Sequence, residues 1–156
     1  MECQSLKDTV GREAACVHAS CVAVLRQGVL IVGPSGAGKS GLALHMMALG
    51  AQLVGDDRID LAEDAGRVIA DAPPAIRGLV EARGIGLLRA DTAGPVPVSV
   101  VVDLGQETSK RLPDPMTVPV LRQTVPLLHA AGIPNLAAAL MQYVKMGRVD
   151  PEWPNR

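Results

Sequence analysis

The alternation of apolar and polar positions divides the chain into short strands and three helices. From Cys16 to Val32, two β-rich runs, CVHASCVAVL and VLIV, flank RQG. This spacing predicts a hairpin whose first strand is antiparallel to the second. In KSGLALHMMALG the apolar positions Leu42, Leu44, Met46 and Leu49 recur at helical intervals and Gly50 follows, which predicts a helix with a glycine stop. AQLV reads as a short buried strand running into GDD. RIDLAEDAGRVIADAPP predicts a second hairpin, turning at EDAG and closed by Pro73 and Pro74. AIRGLVEARGIG predicts a short helix ending near Gly84, PVPVSVVVDL a strand, and ETSKRLPDP a polar loop punctuated by proline. NLAAALMQYVKMG closes the series as a helix with Asn135 as N-cap and Gly147 as stop. No internal repeat or low-complexity tract stands out. The order of elements predicts an α/β fold: a mixed sheet with an antiparallel N-terminal hairpin, in one domain over 16–156 behind a tail of residues 1–15.

Composition narrows the partners. Hydrophobic residues make up 48% of the 156 positions but aromatic ones only 1%, with no Phe, so the core must be packed from Leu, Val, Ile, Ala and Met. Fifteen basic and sixteen acidic residues leave a net charge of −1, which excludes the basic footprint of a nucleic-acid binder. The uncharged runs are broken by Gly and Pro, and MECQSLKDTVGREAA lacks the apolar centre of a signal peptide, so a cytoplasmic protein without a membrane span is expected. Cys3, Cys16 and Cys21 are odd in number and are expected as reduced thiols. The spacing in CVHASC argues against zinc, because on one strand Cys16 and His18 face one way and Cys21 the other.

The chemistry concentrates around Gly33–Ser40. GPSGAGKS satisfies G-x-x-x-x-G-K-S/T and lies between a predicted strand and a predicted helix. In such a loop, formed by Gly33, Pro34, Ser35, Gly36, Ala37 and Gly38, the backbone N–H groups, which Pro34 alone lacks, curl around a phosphate. Lys39 reaches the β- and γ-phosphates, and Ser40 can ligate Mg²⁺. In LVGDDR, Asp56 and Asp57 end the strand after the phosphate-loop helix. If that strand lies beside the first in a parallel sheet, its end opens onto the same crevice, and two adjacent carboxylates can divide into a metal ligand and a base. Counting across the first hairpin about a centre near Gln27 sets His18 opposite residue 36, within the loop. Glu81 and Arg83 in VEARGIG suit either a metal shell and phosphate clamp or a surface ion pair, and the residues alone do not choose.

Taken in order, HASCV, GVLIVGPSGAGKSGLAL, LVGDDR and APPAIRGLVEARGIGLL resemble the catalytic domain of bacterial HPr kinase/phosphorylase, from Cys16 to Leu88 with weaker similarity beyond. The resemblance implies a phosphoenolpyruvate-carboxykinase-like P-loop core. It also implies ATP and Mg²⁺ as cofactors and, as partner, a serine of HPr, the phosphocarrier of the sugar phosphotransferase system. Carried over by position, it makes Lys39 the phosphate-binding lysine, Ser40 and Glu81 magnesium ligands, His18 the active-site histidine and Asp57 the general base, and the division of the acidic pair read above then sets Asp56 on the metal side. Val80–Arg89 match a stretch used in both reaction directions. KRLPD is the nearest counterpart of the family's D-R-L-G arginine loop, making Arg111 the candidate catalytic arginine with Arg122 behind it. The family's late PGRNLA reads GIPNLA at Gly132–Ala137, and the missing arginine counts against the phosphorylase direction. The family's N-terminal domain has no counterpart in the residues ahead of His18, as in the shortened alphaproteobacterial form, and the resemblance implies a homo-oligomer, a hexamer in the family. Two other readings remain. A small-molecule P-loop kinase would carry an arginine-rich lid, and none is evident. The other is a nucleotide-binding regulatory module that hydrolyses slowly or not at all and signals through partner contacts; the missing N-K-x-D motif speaks against a GTPase switch and the missing L-S-G-G-Q motif against a transporter ATPase.

Overall fold

The structure, a computed structural model, describes residues 2–153. In chain order it contains β1 (Cys3–Gln4), a 3-10 turn (Leu6–Thr9), β2 (Ala14–Val17), β3 (Ser20–Val24), β4 (Gln27–Val32), α1 (Lys39–Ala48), β5 (Gln52–Gly55), β6 (Ile59–Asp64) and β7 (Arg67–Asp71). There follow a second 3-10 turn (Pro74–Ile76), β8 (Leu79–Ala82), β9 (Gly86–Arg89), β10 (Val96–Asp103), β11 (Met116–Val120), β12 (Gln123–His129) and α2 (Leu136–Met146).

Ten strands form one curled mixed sheet in the order β1-β2-β6-β7-β10-β4-β3-β5, with β12 also pairing β10 and β11 outside β12. β10 joins the two halves: Val96 and Pro97 pair antiparallel to β7, and the rest of the strand runs parallel to β4 and β12. On the other side the chain crosses between halves through His18 and Ala19, since β2 pairs β6 whereas β3 pairs β4 and β5. The halves therefore face each other across Val17, Cys21, Leu30, Ile59, Leu61 and Val101. The alternate side chains of the central strands, Val22, Val29, Ile31, Val100 and Val102, point outward and are covered by Leu42, Ala43 and Met46 of α1 and Leu140, Met141 and Val144 of α2. Burial on both faces is why these strands read as continuous apolar runs.

Several expectations change. The first turn is Leu25–Arg26, both left-handed at φ 50° and 63°, not Arg-Gln-Gly. Val24 pairs Gln27 and Ser20 pairs Ile31, so continuing that register brings His18 level with Gly33 rather than Gly36. Gly28 lies inside β4, where a Cβ would stand 2.9 Å from the Pro97 carbonyl oxygen. It serves close strand approach, not the turn. The predicted helix over AIRGLVEARGIG is instead the Pro74–Ile76 turn followed by the β8–β9 hairpin. Gly78, Gly84 and Gly86 sit at φ 78°, 87° and 136°, outside helical space. β5 is not adjacent to β4: β3 lies between and is antiparallel to both, which leaves β4 and β5 pointing the same way. β11 and β12 form a hairpin in a region read without regular structure. Asn135 precedes α2 in a left-handed conformation, φ 56°, and makes no side-chain cap bond.

The cysteines also differ from expectation. Cys3 and Cys16, expected as thiols, are joined in a disulfide because β1 pairs parallel to β2 with these two residues opposite, Cα atoms 4.4 Å apart. Cys21 is the free cysteine among the described residues, and burial pushes its thiol up to about 12. Among the described residues no helix is long and apolar enough to cross a membrane.

Candidate active site

β4 ends at Val32 and α1 begins at Lys39, and the six residues between carry the glycines the turn requires. Gly33, Gly36 and Gly38 have φ of 149°, 81° and 99°, and a Cβ on Gly33 would press on Ala37, Leu104 and the Gly105 amide at 3.3 Å. The loop delivers the amino end of α1, with its unsatisfied N–H groups and partial positive charge, to one rim of a cleft. Lys39 Nζ folds over the loop and donates to the carbonyls of Gly33 at 2.9 Å and Pro34 at 3.1 Å.

The adjacent aspartates are turned to opposite sides. The Arg58 amide donates to the Asp56 carbonyl at 2.8 Å, and the intervening Asp57 has φ 70°, which makes a tight γ-turn of the rarer, strained hand. Asp56 thereby points inward and is only 5% exposed. Its Oδ1 accepts from Ser20 Oγ at 2.6 Å and Ser40 Oγ at 2.8 Å. Its Oδ2 accepts from Ser40 Oγ and the Glu81 amide, both at 3.0 Å. The Asp57 side chain is 77% exposed, with Arg58 Nε 3.9 Å away, a loose surface pair worth little.

A cleft of about 700 Å³ collects these groups. His18 and Ser20 enter from the corner between β2 and β3, and Gly33, Ser35, Gly36, Gly38, Lys39 and Ser40 from the loop and helix. Asp57 comes from the γ-turn, and Glu81 and Arg83 from the β8–β9 hairpin. Pro34 lines a neighbouring cavity of about 470 Å³ instead, Ala37 closes the loop by donating its amide to the Pro34 carbonyl, and Asp56 lies beneath the floor. Arg111 is exposed in the segment between β10 and β11 and does not line the cleft. Arg122 is engaged elsewhere, by Glu13 at 3.3 Å and the Gly11 carbonyl at 3.2 Å. Among the described residues, Arg83 is the arginine that lines the cleft.

Ser20 escaped the sequence reading because a serine within CVHASCVAVL looks like a polar interruption of a strand. Its position two residues after a candidate histidine was the available signal. The hairpin carrying Glu81 and Arg83 is held by Arg77, which forms a two-pronged pair with Asp71 at 2.8 and 3.0 Å and also donates to the Ala72 carbonyl. That pair raises the Arg77 pKa, chiefly through the hydrogen bond to Asp71.

Chemically, the cleft offers a cradle of amides and one ammonium for anionic phosphate. It also offers a hydroxyl and carboxylates, which together with phosphate oxygens make the hard-oxygen donor set that magnesium takes. The residues present therefore fit a magnesium nucleotide. Among the described residues no three His, Cys, Asp or Glu side chains gather into a metal cage by themselves.

Comparison with known proteins adds the lineage. A family model described as the HPr Serine kinase C-terminal domain matches residues 12–94, more than half of the chain. HPr kinase/phosphorylase 1 of Oceanobacillus iheyensis is 38% identical over 103 residues, covering 61% of this chain and 33% of that protein. HPr kinase/phosphorylase of Latilactobacillus sakei is 34% identical over 139 residues, covering 74% of this chain and 42% of that protein. The chain thus spans well under half the length of these relatives. The Hpr(Ser) kinase/phosphatase structure from Coxiella burnetii superposes with a TM-score of 0.74 at 27% identity, over 83% of this chain and 93% of that one.

Proposed function

This chain belongs to the HPr serine kinase C-terminal domain family, and from that premise we propose that residues 16–156 form one catalytic domain that transfers the γ-phosphoryl group of ATP to a serine hydroxyl of the phosphocarrier HPr. The observation that carries the reading is the split between Asp56 and Asp57. One carboxylate is buried and held by Ser20 and Ser40, while its neighbour is turned into the cleft with its side chain exposed.

In this reading the loop Gly33–Gly38 binds the phosphates, and Lys39 exchanges its two carbonyl partners for β- and γ-oxygens. Ser40 donates its hydroxyl hydrogen bond to Asp56, which leaves its lone pairs free, and Ser40 and Glu81 would hold magnesium. Magnesium, when bound, neutralises charge on the phosphate oxygens. Asp57 accepts the proton of the attacking serine hydroxyl, a base placed where a protein substrate can reach it. His18 borders the same space. Arg83 is the cleft guanidinium available to the transferring group, and Arg111 fills that role only if its segment moves over the cleft. The kinase direction alone is proposed, since GIPNLA lacks the arginine of the family's late motif. By family resemblance the reading includes a cytoplasmic homo-oligomer.

Labelled ATP, Mg²⁺ and purified HPr test the reading, with HPr whose phosphorylatable serine is replaced by alanine as the control. Label on the wild-type carrier alone, abolished by Lys39→Ala in the kinase, is the expected result. Absence of transfer to either carrier, with nucleotide still bound, would favour a regulatory nucleotide-binding module.

A further inference from the structure

Asp56 is a buried carboxylate with both oxygens engaged. Its two oxygens receive three donors from three elements: Ser20 Oγ of β3, Ser40 Oγ of α1 and the Glu81 amide of β8. These donors are not equivalent. Ser40 shares one proton between both oxygens, at 2.8 and 3.0 Å, and is itself a candidate cation ligand, so its position is not independent of what the cleft holds. The other two each fix a single oxygen: Ser20 holds Oδ1 at 2.6 Å and the Glu81 amide holds Oδ2 at 3.0 Å. Ser20 is 1% exposed and locked in the β3–β4 ladder opposite Ile31, so its hydroxyl cannot follow a ligand.

We infer that Ser20 is a positioning residue for metal-dependent nucleotide binding: its hydroxyl fixes the plane of the Asp56 carboxylate, and that carboxylate aims the Ser40 oxygen at the cation. The inference rests on the proposed nucleotide site and deepens it. Ser20 is the only side chain that donates to Asp56 without being a candidate ligand, among the described residues. Its removal leaves a buried carboxylate oxygen dependent on the shared Ser40 proton. That proton then pulls Ser40 toward one oxygen, and the hydroxyl loses the orientation in which its lone pairs face the cleft. The phosphate cradle and Lys39 are untouched, so affinity for nucleotide without metal is predicted to be unaltered.

The test is binding of a fluorescent ATP analogue to wild type, Ser20→Ala and Ser20→Thr, titrated in EDTA and again in Mg²⁺, with thermal unfolding of each variant. The expected result is equal binding in EDTA, a loss of about tenfold for Ser20→Ala in Mg²⁺, and recovery in Ser20→Thr, which keeps the hydroxyl. Ser20→Ala matching wild type in Mg²⁺ overturns the role of Ser20. So does an equal loss in both titrations with a fallen unfolding temperature, which marks a merely structural serine, and so does Ser20→Thr as weak as Ser20→Ala. Wild type that binds no nucleotide under either condition overturns the nucleotide reading itself, and the inference with it.

Discussion

Asparagine at position 56 and asparagine at position 57 are the same chemical change one residue apart, and the γ-turn between them makes the consequences opposite. Asp56 is buried and accepts from three donors, so neutralising it weakens charge-assisted hydrogen bonds worth roughly 1.5–3 kcal/mol each. It also puts an amide NH₂ either at Oδ2, against the Glu81 N–H that can only donate, or at Oδ1, where Ser20 and Ser40 must turn their hydroxyls to accept. Relief of the carboxylate's desolvation offsets part of this, and a net destabilisation of about 2 kcal/mol is expected for Asp56→Asn. In a domain of this size that lowers the unfolding temperature by roughly 4–8 °C. Asp57 is exposed and asparagine tolerates its positive φ as well as aspartate does, so Asp57→Asn stays within about 0.5 kcal/mol of wild type. Its loss falls on catalysis, about 10²–10⁴-fold in single-turnover transfer to HPr, the usual range for a general base, with nucleotide affinity retained. Scanning fluorimetry and rapid-quench transfer on both variants measure the two effects. Transfer by Asp57→Asn within tenfold of wild type, or an equal thermal penalty for both variants, would refute the division of labour.

Two further outcomes follow from the packing. Gly28→Ala is expected to destabilise by about 1–3 kcal/mol, because its methyl would stand 2.9 Å from the Pro97 carbonyl oxygen and 3.2 Å from Val96, wedging β10 off β4; chemical denaturation checks it. Cys21 titrates near 12 in the folded chain against 9.0 for an ordinary thiol, so its burial contributes stability that is intact below pH 9 and is lost as the pH rises toward 12. Near neutral pH the buried thiol therefore stays protonated, and native labelling by iodoacetamide should lag far behind labelling in denaturant.

Legibility along the chain tracked how locally each element was specified. The tetrapeptide Val-Leu-Arg-Gln occurs twice, at 24–27 and 120–123, and both copies form a two-residue hairpin turn in which the valine pairs the glutamine. The leucines have φ of 50° and 55°. The first copy reads as a turn only because Gly28 follows it, and that glycine serves the close approach of β10. The second has no glycine, and Pro119 and Pro126 on either side argue against strands. The structure tolerates both prolines by position: Pro119 sits on β11, the outer strand, and Pro126 precedes Leu127, where pairing of β12 with β10 begins. Likewise Ile76, Leu79 and Val80 have helical spacing, but the glycines at 78, 84 and 86 adopt positive φ that ends any helix, and a hairpin results.

The cleft depended less on such local signals. The phosphate loop declares itself because its function is a backbone shape, and glycines at fixed spacing are the only residues that adopt it cheaply. His18 was placed near the loop from a register three residues in error, yet it does border the cleft. The reason is topological: His18 lies where the chain passes from one half of the curled sheet to the other, level with Gly33, and any small slip still leaves it at that rim. Arg111 had no such anchor, because the segment between β10 and β11 has no ladder to fix it, and a motif match cannot say where an unpaired loop will lie. Arg83, by contrast, is carried by a hairpin bonded through the Glu81 amide to Asp56 and braced by the Arg77–Asp71 pair. Residues on elements tied into the sheet can be located by counting. Residues on loops cannot, and Arg111, taken from a motif match in such a loop, does not line the cleft in this structure.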